Sequence, residues 1–168
     1  MLKLSFISLL FIFSLANAEE TRHANAHVHG LNNLTMVLSQ NQIAITYEMP
    51  IIQLYEEHEE HEEHEELAIK NESLKAFENH LQLFEFPIGA ECELSSFKSE
   101  LHNVSTEGDH KDIELSYEFY CNEPNLLNGI QINAFNRFDD LQMVNFDAII
   151  NNQGFIKSFN SLESKITF

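Results

Sequence analysis

Residues 56–66 read EEHEEHEEHEE. No side chain in this run can contribute to an apolar core, so any fold must be assembled from the residues on either side of it. The run holds His58, His61 and His64 at a strict spacing of three, each flanked by glutamates. It is a charged, imidazole-bearing appendage on something that folds. On a helix, histidines at i and i+3 are neighbours. His58 with His61, or His61 with His64, could then chelate one ion, with Glu57 or Glu62 completing the set. A run without an apolar face also suits a flexible segment, which gathers ions weakly by local ligand concentration. Imidazole suits zinc, copper and nickel alike, so ligand type alone does not select the metal.

The flanks carry strand patterns. Residues 34–38 (LTMVL) and 43–49 (IAITYEM) are separated by the polar tetrapeptide 39–42 (SQNQ), which reads as a hairpin turn. Pro50 ends the second strand. After the acidic run the period changes. Leu67, Leu74, Phe77, Leu81 and Phe84 recur at steps of seven, three, four and three, an amphipathic helical stripe. Asn71 is its expected N-cap, and Pro87 and Gly89 end it. His80, on the flank of the stripe, reads as a surface histidine.

From Cys92 onward the pattern is again that of strands. Residues 93–101 alternate loosely and residues 112–121 (DIELSYEFYC) alternate well, with a polar loop at 102–111 between them. Residues 130–135, 141–149, 155–159 and 165–168 complete the set, punctuated at Asn128-Gly129 and Asn152-Gln153-Gly154. About eight short strands and one helix predict a mainly β (α+β) fold. It is an antiparallel sheet or sandwich-like domain with one amphipathic helix inserted after the first strand pair.

The N-terminus has the form of an export signal. Lys3 precedes an apolar stretch at 4–15, and Ala16-Asn17-Ala18 is a small-x-small cleavage site. The stretch is shorter than the roughly 20 residues of a membrane span. Glu19, rather than cysteine, follows the site, so no lipid anchor is expected. The expected organisation is a signal peptide at 1–18 and a single domain at 19–168. The formal charge of −18 repels nucleic acid and anionic lipid and attracts cations, although an acidic surface also serves solubility alone.

Two cysteines remain, Cys92 and Cys121. In an exported chain an even pair favours a disulfide, and closing that loop would stabilise the fold by about 3–4 kcal/mol in the chain-entropy picture. A pair of thiolate metal ligands is the rival reading, though the spacing is not CxxC.

Catalytic signatures are missing from the sequence. A zinc protease needs HExxH, and His58-Glu59-Glu60-His61 falls one residue short. No nucleophile elbow, phosphate-binding loop or dinucleotide fingerprint occurs, and no carboxylate pair stands out as an acid/base couple. No enzyme is expected. A second histidine feature opens the exported chain: His27 and His29 alternate in AHVHG. On an extended strand they point to one face, with Cα atoms about 6.5–7 Å apart, which two imidazoles can close onto one ion. Such pairs also occur as solvated side chains on exposed strands.

Taken in order, these features resemble the ZrgA-like periplasmic zinc-binding proteins of Gram-negative bacteria. The resemblance runs over nearly the whole exported chain. It is carried by Ala26-His27-Val28-His29-Gly30, by Glu48-Met49-Pro50 closing the strand pair, and by the segment from Tyr55 to His58. The helix, the Phe84…Pro87…Cys92 stretch, Tyr117-Glu118-Phe119-Tyr120-Cys121 and Phe135-Asn136-Arg137-Phe138 follow. The resemblance implies a periplasmic protein that binds Zn²⁺ and supports zinc uptake together with an inner-membrane zinc transporter. It implies the Cys92–Cys121 disulfide and makes His27 and His29 ligands. His58 joins them, His61 and His64 act in capture or at a second site, and His23 and His110 complete the candidate list. The chain departs from the family pattern in one respect. The family's long His/Asp/Glu-rich insertion lies between the cysteines, whereas here that loop keeps only His102, Asp109 and His110 and the rich run comes earlier. Two rival functions stand beside this one: a secreted β-sandwich interaction module with an incidental acidic run, and a buffer or resistance protein for copper or nickel.

Overall fold

The structure is a computed structural model and describes residues 30–54, 74–103 and 111–168. In chain order its strands are β1 (Leu31–Ser39), β2 (Gln42–Pro50), β3 (Phe84–Glu85), β4 (Cys92–Asn103), β5 (Lys111–Cys121), β6 (Gly129–Ile132), β7 (Met143–Ile150), β8 (Gln153–Phe159) and β9 (Lys165–Thr167). They form a six-stranded sheet in the order β4-β5-β2-β1-β7-β8 and a three-stranded sheet in the order β3-β6-β9. All pairings are antiparallel except that of β1 with β7, which is parallel. The mainly β, sandwich-like architecture expected from the alternation is therefore the one adopted.

Alternation sets which face is buried, because successive strand side chains point to opposite sides. Leu34, Met36 and Leu38 of β1, Ile43, Ile45, Tyr47 and Met49 of β2, and Ile113, Leu115, Tyr117 and Phe119 of β5 all point inward. Val144, Phe146, Ala148 and Ile150 of β7 continue this face. The small sheet covers it with aromatic rings. Phe84 meets Tyr117 edge-on with centroids 5.3 Å apart, and Phe86 meets Phe119 at 5.2 Å. Phe168, after β9, stacks on Phe146 at 6.3 Å. Each fully buried side chain of this size stabilises the fold by about 1.5–3 kcal/mol.

The amphipathic helix is a correction. Among the described residues, Leu74 and Lys75 are helical and only short 3-10 turns follow, at Ala76–Glu78 and His80–Gln82. Asn79, between the turns, has ψ 83°, outside the helical region. The stripe therefore loses phase. Phe77 is buried but Leu81 is 50 % exposed, and Phe84 pairs with Ile132 in a strand. Leu67 and Asn71 lie outside the described residues.

Smaller differences follow from local bonding. The second strand of the small sheet stops at Ile132 because Asn133 and Ala134 both donate their N–H to the Leu83 carbonyl and the chain turns. The late hairpin turns at Asn151 and Asn152, both at positive φ, one residue earlier than 152–154. His102 and Asn103 are paired strand residues rather than loop. The disulfide joins Cys92 to Cys121, which stand opposite one another in the β4–β5 register. No cysteine is free, and this removes the thiolate-ligand alternative.

Candidate metal centre

The register fixes which strand ends meet. Asn33 pairs with Glu48 and Leu31 with Met143, so the start of β1 lies beside the end of β2 and the start of β7. Pro50 pairs with Asp112, and Asn103 pairs with Lys111. The start of β1, the end of β2, the start of β5 and the end of β4 therefore share one end of the sheet. At a strand spacing of about 4.8 Å they lie within roughly 15 Å of one another.

Histidine-bearing chain leaves the sheet at each of these points. His23, His27 and His29 precede β1, His58, His61 and His64 follow the turn after β2, and His110 immediately precedes β5. These seven candidate ligands lie outside the described residues. His102 occupies the second-to-last pair of the β4–β5 ladder, opposite Asp112. Among the described residues, His80 lies in another part of the fold.

Two of the exit points are rigidly held. Gly30 is buried with φ 78°, and a Cβ there would stand 2.6 Å from the Asp140 carbonyl oxygen. Its own carbonyl accepts from Gln142 N–H at 2.8 Å and from Met143 N–H at 2.9 Å. The glycine of AHVHG is thus what allows the chain carrying His27 and His29 to enter the centre of the sheet. Beyond Pro50, the 3-10 turn Ile51–Leu54 packs Ile51 and Leu54 against the core, so the chain is fixed to within four residues of His58.

The electrostatics favour a cation at this end. Glu48, Glu114 and Glu100 stand side by side across β2, β5 and β4 on the open face of the sheet. Like charges directly opposite one another destabilise a sheet, and the field they set up draws cations. Ser116 Oγ donates to Glu114 Oε1 at 3.2 Å. Next in the register, Asp112 pairs with His102.

Behind this end lies a polar feature that the alternation pattern did not single out. Asn32 points inward, ahead of Leu34, Met36 and Leu38, and is the buried polar residue of the described core. Its Nδ2 donates to Tyr47 Oη at 2.8 Å. Burial pushes the Tyr47 phenol well above its ordinary range, so it stays protonated. Tyr117 Oη, likewise shifted upward by burial, donates to the Phe77 carbonyl at 2.8 Å. An asparagine in phase with an apolar row was the signal available in the sequence.

His80 is not the surface residue expected. It is half-buried, with its ring edge-on to Phe119 at 4.8 Å and near Phe84 at 5.5 Å. Burial lowers its pKa below the usual imidazole value, an effect that the nearby Glu85 carboxylate opposes. It serves the aromatic core.

Among the described residues no group of three or more His, Cys, Asp or Glu side chains is arranged to hold a metal ion, and no helix is long and apolar enough to cross a membrane. Comparison with curated proteins finds no match. A family model described as "ZrgA family zinc uptake protein" matches residues 26–168, from the residue before His27 to Phe168, just after β9. The chain belongs to the ZrgA family, and its role is in zinc uptake.

Proposed function

We propose that this protein captures Zn²⁺ in the periplasm through histidines gathered at one end of its six-stranded sheet and passes the ion to an inner-membrane zinc transporter. The observation that carries this reading is the register, which brings the attachment points of three histidine-bearing segments within about 15 Å along the sheet end. Zinc takes imidazole and carboxylate ligands in four-coordinate sites, and all of these segments supply both. The ligands proposed for the tightest site are His27, His29 and His58. His61 and His64 gather further ions, and His23 and His110 lie close enough in sequence to the same strand ends to join them. The acidic row of Glu48, Glu114 and Glu100 raises the local cation concentration. Residues 1–18 act as the export signal, and the role is binding and transfer rather than catalysis.

The test is a calorimetric Zn²⁺ titration of residues 19–168, alongside a His27→Ala/His29→Ala/His58→Ala variant. A dedicated site predicts tight binding that the triple substitution abolishes and that weakens as pH falls through about 6.5, where imidazoles protonate. Binding no tighter than that of a loose histidine-rich peptide would exclude it. Metal analysis of protein taken from the native periplasm separates zinc from copper or nickel.

A further inference from the structure

We infer that the open face of the six-stranded sheet is a docking surface for a protein partner that presents an apolar ridge bordered by lysine or arginine. On the proposed zinc-capture reading, on which this rests, that partner is the transporter that receives the ion.

The face carries an apolar patch that the core does not use. Val37 of β1 stands between Ala44 of β2 and Ile149 of β7. Ile156 of β8 lies one step along, opposite Asp147. These side chains alternate with the core-facing rows and so point the other way. Val37 is 39 % exposed, Ile149 52 % and Ile156 89 %. A single exposed apolar side chain is ordinary, whereas neighbouring ones mark a surface that another molecule covers. Beside Ile149, at Gly154, an added Cβ would meet nothing within 4 Å, so the patch is open above its edge.

Charge selects the partner. Asp147 and Glu118, opposite Thr35 and Ala44, border the patch. Glu48, Glu114 and Glu100 lie beyond them on the same face. Lys98, opposite Ser116, is the lysine of this face among the described residues. Two copies placed face to face would set carboxylate against carboxylate, whereas a basic surface is drawn in. Pairing of copies at the sheet edges is opposed as well. On β8, Lys157 stands on the core side, opposite Phe146, and pairs with Glu163 at 2.6 Å. An inward charge of this kind blocks addition of a further strand, and so does a bulge such as the one between Leu94 and Ser96 on β4.

The patch is also well placed for transfer. Val37 lies six residues along β1 from Leu31, about 20 Å at strand rise. A partner seated there leaves free the end of the sheet from which the histidine-bearing segments depart.

The test measures binding of residues 19–168 to the inner-membrane zinc transporter of the same cell in nanodiscs of neutral lipid, with empty nanodiscs as control. Ile149→Lys and Gly154→Lys place a cation and bulk on the patch, and Ile88→Lys does so at an exposed turn outside this face. Gly154→Lys meets no neighbour, so it serves should Ile149→Lys fail to fold. Each patch variant is expected to weaken binding about tenfold or more, with melting and Zn²⁺ affinity unchanged, while Ile88→Lys binds as wild type. Added salt should weaken wild-type binding, because exposed charges are screened beyond about 10 Å at 0.1 M. Patch variants that bind the transporter within twofold of wild type would overturn the inference and leave transfer standing, and so would binding that salt does not weaken. Equal binding to empty nanodiscs would overturn it in favour of a lipid surface. A wild-type dimer in sedimentation that Gly154→Lys dissociates would overturn it in favour of a second copy. No binding by the wild type would overturn both the docking surface and the transfer step, with zinc capture decided separately by the calorimetric titration.

Discussion

Replacing Gly30 with alanine tests the link between the fold and the entry of the His27/His29 segment. A residue with a Cβ in the left-handed region costs about 1–2 kcal/mol, and Gly30 has φ 78°. The new methyl would stand 2.6 Å from the Asp140 carbonyl oxygen, which is backbone and cannot swing aside. Chain movement to relieve the contact strains the bonds from Gln142 N–H and Met143 N–H to the Gly30 carbonyl, each worth about 1 kcal/mol net. Together these give a destabilisation of about 3–4 kcal/mol, drawn from a total of about 5–15 kcal/mol for a domain. At roughly 2–4 °C per kcal/mol for a chain of this size, the metal-free protein should melt about 10 °C lower. Urea denaturation followed by far-UV circular dichroism measures the free-energy change, and the m-value checks that the unfolded state is unaltered. A Gly30→Ala protein within 1 kcal/mol of wild type would show that the chain entering β1 is not held as described.

Three further outcomes are expected. Cys92→Ser/Cys121→Ser should lose about 3–4 kcal/mol of stability, with the β4–β5 register preserved in amide NMR, since Phe119 and Tyr117 still bury their rings. His80 carries a pKa below that of the unfolded chain because its ring is buried. At pH values below about 6.5 the unfolded state therefore binds the proton more readily, and stability is lost as pH falls through that value toward the folded one. His80→Gln should flatten this part of the stability profile and leave the profile near pH 7–8 unchanged. His61→Ala/His64→Ala should reduce the number of zinc ions bound more than the tightest affinity, as read by metal titration with stoichiometry from elemental analysis.

The strands were legible because one face of each is buried. The row Ile113, Leu115, Tyr117, Phe119 leaves no other phase for β5, and SQNQ could hardly be anything but a turn. The span 74–84 misleads for a physical reason. Steps of three and four suit an α-helix, but a step of three also suits a 3-10 turn, and nothing local foretells that Phe84 will be claimed by Ile132 from 48 positions away in the chain. The parallel pairing of β1 with β7 is equally invisible, since Asn33 and Asn145 meet across 112 residues. The same holds for the candidate site. Its histidines could be read as motifs, but that the strand ends leading to them share one end of the sheet depends on three long-range registers. Asn32 is hard to place from the sequence because its neighbours Asn33 and Leu31 obscure the apolar phase that begins at Leu34.

The disulfide and the histidine-bearing exits occupy opposite ends of the same strands. Cys121 closes β5 at one end, and Lys111 opens it at the other, ten residues away, a separation of about 33 Å at strand rise. Zinc has a high affinity for thiolate, and a newly made chain carries two thiols before it is oxidised. On the proposed reading, the thiols close a strand's length from the strand ends that lead to the histidine-bearing segments, so oxidation of the chain and its loading with metal are separate chemical events. An oxidant need not compete with the ion for sulfur, and a cell short of zinc can complete the covalent fold before any ion arrives.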